Sequence, residues 1–137
     1  MPMTAAELQQ YLADIFPAFD ARIQSLDASG AILELAVNEK HLRPGGTVSG
    51  PTLMGLADAA MYVAILGRIG RVALAVTTNL NMNFYRKPEP GVIRAEARLL
   101  KLGQRLAVGD VLLFNNDSTE SVAHASVTYS IPPNQAD

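Results

Sequence analysis

The stretch GTVSGPTLMGLADAAMYVAILG, residues 46–67, constrains the fold more than any other part of the chain. It is apolar or small almost throughout and holds one charged side chain, Asp58. A helix that is hydrophobic on every side is either buried in the core of a domain or oligomer, or crosses a membrane. Residues 51–69 begin with a proline and are interrupted by Gly55, Asp58 and Gly67, too short and too broken for a span. The segment therefore reads as a core helix of about 17 residues, and the remaining elements must pack on it. Asp58 is then solvated, paired or engaged in chemistry.

The flanking sequence supplies those elements. Thr4 with Glu7 matches a capping box, and Leu8, Tyr11, Leu12, Ile15 and Phe16 follow at helical spacing until Pro17. DASG reads as a turn before a strand at 30–37, and NEKHLRPGGTVSGP reads as a loop. From Val72 to Phe84 the even positions are apolar and the odd positions include Thr77, Asn79, Asn81 and Asn83, with Thr78 as the one interruption. This pattern is a long strand with one packed face and one polar face. RKPEPG turns the chain, and strands follow at 92–102, 105–114 and 121–131, the last two joined by NNDSTE; the tail, 132–137, reads as frayed. Helix, strand, long buried helix and four strands on short turns give one α+β domain over 1–137, with antiparallel neighbours.

Composition narrows the function classes. With 13 acidic against 11 basic residues and no basic block, the chain lacks the electrostatic footprint of a nucleic-acid or anionic-membrane binder. It has no cysteine, and MPMTAAELQQ lacks the regions of a signal peptide, so a cytoplasmic protein is expected.

Ser49 and Gly50 suit the N-cap of the long helix, and Pro51 is tolerated in its first turn. Such a helix start presents unpaired N–H groups with partial positive charge, the geometry of an oxyanion hole. Asp58 lies about 12 Å further along the axis, beyond capping range. A carboxylate desolvated by Leu56, Ala57, Met61 and Tyr62 suits a general base or nucleophile. The alternative is a structural partner: Arg43, Arg68, Arg86 or a tyrosine.

Together the runs GTVSGPTLMGLADAAMYVA, VTTNLNMNFYRKPEPGVIRAEARLLKLGQR and VAHASVTYSIP resemble the PaaI-like branch of the hotdog-fold acyl-CoA thioesterases, from residue 30 to the end. The resemblance implies a long central helix wrapped by a curved antiparallel sheet. It implies homodimers joined sheet edge to sheet edge, commonly paired into tetramers, with active sites at the subunit interface. Carried over by position, Gly50 matches the residue whose backbone N–H polarises the thioester carbonyl. Asp58 matches the catalytic carboxylate from the other subunit, and Thr77 a hydroxyl that helps position water. Ser49 stands where the family usually has His, Arg43 where it often has Asn, and Pro51 where it has a second Gly. These departures leave open a hotdog protein that binds acyl-CoA without cleaving it. Ser49 lacks an evident activating base for a nucleophilic role. Hydratase chemistry would need a histidine partnered with the acid, a pattern that neither His41 nor His124 matches. No metal or cofactor is required, coenzyme A being part of the substrate.

His41 reads as a solvated loop histidine near the site that could touch substrate, and His124 as an ordinary cross-strand neighbour. Neither has metal-ligand spacing. Arg86 and Lys87, with Arg98, Lys101 and Arg105 near Gly103, form a candidate rim for the phosphates of coenzyme A. The asparagines at 79, 81 and 83 are unusual in a strand and call for amide partners on that face.

Overall fold

The computed structural model describes residues 2–133. The capping box at Thr4 opens α1, Ala5–Ile15, which buries Leu8 and Leu12. The chain continues through β1 (Arg22–Asp27), β2 (Gly30–Ala36), a single 3₁₀ turn (Glu39–His41), α2 (Gly50–Ile69), β3 (Val76–Phe84), β4 (Val92–Leu102), β5 (Leu106–Asn115) and β6 (Ser121–Ser130). The strands form one sheet in the order β1-β2-β4-β5-β6-β3, antiparallel at every step.

The long helix is the centre of the core, as its composition requires. It runs for 20 residues, longer than the expected length of about 17, so by length and composition alone it is, contrary to the sequence reading, long and apolar enough to cross a membrane. Here, however, Leu53, Leu56, Ala57, Ala60, Met61 and Val63 to Gly67 are buried among inward side chains of β2, β4, β5 and β6. Gly109 of β5 permits a close approach of the helix. A Cβ there would lie 2.4 Å from both the Met61 Cε and the backbone oxygen of Arg98.

Three expectations need correction. First, residues 22–27 form a strand that the sequence pattern hides, because RIQSLD buries only Ile23 and carries a bulge between Ile23 and Ser25. The DASG turn that follows it is held by Asp27 Oδ1, which accepts from the N–H groups of Ser29 and Gly30. Second, β3 begins at Val76. A turn closed by the Ala75 N–H on the Val72 oxygen precedes it, burying Val72 and Ala75 while Leu74 is left 76% exposed. Third, RKPEPG does not make a hairpin. Pro88 and Pro90 keep the chain extended while it crosses the sheet end, pinned by two hydrogen bonds between Asn115 and Glu89. β4 thus pairs with β2, and β3 pairs with β6 at the far edge. In one chain that edge strand is exposed on both faces except at Leu80 and Met82, which are half-buried. Of the tail expected from 132, residues 134–137 lie outside the described residues.

Gly109→Ala should lower stability by about 2 kcal/mol, since the flexible Met61 can yield but the Arg98 carbonyl cannot. The urea midpoint should fall with an unchanged denaturant slope.

Candidate active site

Asp58 projects from the middle of α2 towards the far end of the sheet. Its Oδ1 accepts two hydroxyls, Thr77 Oγ1 at 2.5 Å and Tyr129 Oη at 2.8 Å. The Tyr129 hydroxyl also reaches the Asp58 backbone oxygen at 3.1 Å. Among the described residues Oδ2 receives no hydrogen bond, and Asp58, Thr77 and Tyr129 line a cavity of about 490 Å³. None of the three arginines weighed as partners pairs with Asp58: Arg68 donates to the Ala28 oxygen and Arg86 pairs with Glu120. The tyrosine alternative is met, although the half-buried carboxylate faces two hydroxyls as well as hydrocarbon.

The position of Thr77 depends on a bulge. Strict alternation would put Thr77 on the face opposite Leu80 and Met82. The register of β3 on β6 instead shifts between Thr77 and Asn79, leaving Thr78 unpaired. An extra residue in one strand reverses which face the following side chains take. Thr77 therefore stands beside its cross-strand partner Tyr129 on the helix side, while Leu80 pairs with the buried Val127 on that same side. The interruption at Thr78 was visible in the sequence; its consequence for Thr77 was not. Tyr129 was legible only as one more apolar-face residue of the last strand.

The N-terminus of α2 faces a different cavity, of about 400 Å³. Ser49 is the N-cap, its Oγ accepting from the Thr52 N–H at 3.2 Å and bonding the Thr52 hydroxyl at 2.8 Å. Pro51 occupies the first turn, exposed. The Gly50 N–H meets no acceptor among the described residues. Around it stand Arg43, Phe84, Arg86 and Lys87. The structure thus gathers Gly50 with three of the basic candidates but, within one chain, keeps them apart from Asp58. Arg105 lies elsewhere, beside Ile69 at the opposite end of α2. Arg98 pairs with Asp110 on the outer sheet face, where His124 joins the same carboxylate oxygen at 3.2 Å.

His41 is not solvated. It is 7% exposed, its Nδ1 accepts from the Asn38 N–H at 3.0 Å, and its Nε2 donates to Asp20 Oδ2 at 2.9 Å. The polar appearance of NEKHLRP concealed this, because Asp20 is remote in sequence. Among the described residues no three His, Asp or Glu side chains cluster as a metal site would need.

Residues 45–122, more than half of the chain, match the Thioesterase superfamily, and the chain belongs to that family. Its architecture is the hotdog fold, one long helix against a six-stranded antiparallel sheet. The chain is 48% identical to a protein from Silicibacter sp. TM1040 whose crystal structure is named that of a "putative thioesterase", over 96% of this chain and 93% of that one, with a TM-score of 0.88. A mutant structure of the phenylacetic acid degradation protein PaaI from Thermus thermophilus is 25% identical, covering 87% of this chain and 99% of that one at a TM-score of 0.74. A "putative esterase" of Pseudomonas aeruginosa is 30% identical over 74% of this chain and 75% of its own length. Membership and these relatives support hydrolysis of thioesters in general.

Burial, reinforced by the Asp58 charge, raises the Tyr129 phenol well above its ordinary range, so it remains a donor. A phenol that holds its proton more tightly folded than unfolded contributes stability fully present below the unfolded pKa of about 10 and lost as pH rises beyond it. Tyr129→Phe should cost about 1.5 kcal/mol at pH 7, one hydrogen bond to a charged acceptor, and should soften the alkaline loss of stability. Urea unfolding at pH 7 and above pH 10 measures both.

Proposed function

We propose that the protein hydrolyses acyl-CoA thioesters, with Asp58 as general base. The observation that carries this reading is the division of labour within one carboxylate: Oδ1 is held by Thr77 and Tyr129, and Oδ2 is left to the cavity. Two fixed donors orient the group, so little rearrangement is required when it acts. Oδ2 takes a proton from water, the water oxygen adds to the thioester carbonyl, and the C–S bond then breaks. The departing thiolate of coenzyme A receives the proton that Asp58 took. Charge on the carbonyl oxygen is stabilised by the Gly50 N–H at a helix start, a position worth a hundredfold or more in such reactions. Arg43, Lys87 and the Glu120-paired Arg86 beside Gly50 form an anion-binding rim suited to the phosphates of coenzyme A.

Because Gly50 and Asp58 face separate cavities in one chain, the working site needs a second copy to bring one protomer's helix start to the other's carboxylate. The exposed outer edge of β3 supports that pairing, since an unpaired strand edge is a template for another. No redox group or metal is needed for this chemistry.

A second reading, binding without cleavage, is favoured by Ser49, which offers no imidazole and whose hydroxyl is already engaged with Thr52. Asp58→Asn decides between them. Thiol release from an acyl-CoA panel should fall about a thousandfold on loss of the base, with the fold and oligomer intact. Saturable binding without thiol release by the unaltered protein supports the second reading, and undiminished release by Asp58→Asn overturns the first.

A further inference from the structure

Two cavities lie along the same face of α2. One, of about 490 Å³, holds Asp58 and Thr77; the other, of about 320 Å³, holds Asp20, His41 and Thr52. Phe16, Phe19, Gly55 and Ala59 line both, so the two are halves of one trough. Thr52, Gly55, Ala59 and Tyr62 share a helix face by their spacing, and its middle carries no side chain larger than a methyl group. The opposing wall comes from the segment after α1, where the Phe16 and Phe19 rings sit 6.4 Å apart.

Gly55 is not required by packing or backbone. A Cβ built there meets nothing within 4 Å, and glycine inside a helix weakens it. The space above it is therefore available to something other than the chain. At the far end the trough becomes charged: Asp20 Oδ2 accepts from His41 Nε2 at 2.9 Å and meets Lys40 Nζ at 3.2 Å. Burial alone would raise the Asp20 carboxyl, but the hydrogen bonds from His41 and Lys40 and the Lys40 charge hold it below its ordinary value. An aliphatic tail gains nothing by pressing into such a cluster.

We propose that the acyl group lies along this trough, over Gly55 and Ala59 and against Phe16 and Phe19, and that the open space at Gly55 with the Asp20–Lys40–His41 stop selects short to medium aliphatic acyl groups. This rests on the acyl-CoA reading above. From Asp58 to Thr52 the helix advances about 9 Å, room for about seven carbon–carbon bonds at about 1.25 Å of advance each. Reactivity should rise about fourfold per added methylene, the equivalent of about 0.8 kcal/mol each, to a chain of about eight carbons, and then fall.

Substituting Gly55 tests this by filling the trough, since a Cβ there meets nothing within 4 Å. Across acetyl- to palmitoyl-CoA, the ratio of octanoyl-CoA to acetyl-CoA kcat/KM should fall at least tenfold in Gly55→Leu, with Gly55→Ala between it and the unaltered protein. An unchanged chain-length profile overturns the proposal, as does an equal loss on every substrate or a changed oligomeric state at constant profile, which would mean that a second copy fills the trough. Binding keeps the two readings separable. Calorimetry on Asp58→Asn should show tighter binding of octanoyl-CoA than of acetyl-CoA, a preference lost in the Asp58→Asn, Gly55→Leu double variant. Loss of that preference alongside no turnover by the unaltered protein would sink the hydrolase reading and keep the trough. Asp58-dependent turnover indifferent to Gly55 would do the reverse.

Discussion

The two hydroxyls on Asp58 Oδ1 tie together the three parts of the molecule that matter most. Asp58 comes from the buried helix, Thr77 from the edge strand, and Tyr129 from the strand beside it. A carboxylate inside an otherwise apolar helix is costly unless its oxygens are satisfied. Here one oxygen is satisfied fully and the other is turned to a cavity. The same bonds that make the acid tolerable in the fold also fix its orientation, as the proposed chemistry requires. They require β3 to lie next to β6, which in turn requires residues 85–91 to cross the sheet rather than turn back on it.

The central helix was the most legible element because its composition leaves few other places for it, and Asp58 stood out for the same reason. Strands 92–102 and 121–130 were legible from alternation, since each has one face on the helix. Legibility failed where burial and sequence parity part company. β1 buries one side chain, so it has no period to read. At Thr78 a single unpaired residue reverses the parity of the strand, so Thr77 was singled out for its match to a family position while the pattern placed it on the wrong face. Long-range pairing was equally hidden: nothing near His41 in sequence signals that Asp20 is its partner, and Tyr129 looked like any inward aromatic.

The helix start shows a different kind of compromise. Ser49 uses its hydroxyl to cap the helix and to bond Thr52, which fixes the first turn while leaving the Gly50 N–H unengaged. The positive rim beside it and the carboxylate two turns further on belong to separate cavities of one chain. The proposed mechanism, which uses both, therefore calls for a second copy, and the exposed edge of β3 that carries Thr77 is the surface proposed for it.

The clamp on Asp58 Oδ1 is the most direct point at which to test this account. Thr77→Val removes one of its two hydroxyl donors at nearly constant shape and leaves both catalytic candidates, Asp58 and Gly50, in place. Initial rates of thiol release from acyl-CoA should fall about tenfold in Thr77→Val, the equivalent of one hydrogen bond to a charged acceptor, and further when Tyr129→Phe is added, with a cooperative thermal transition retained. A Thr77→Val, Tyr129→Phe variant that folds and turns over at the unaltered rate would contradict the claim that the clamp on Oδ1 prepares Asp58 to act.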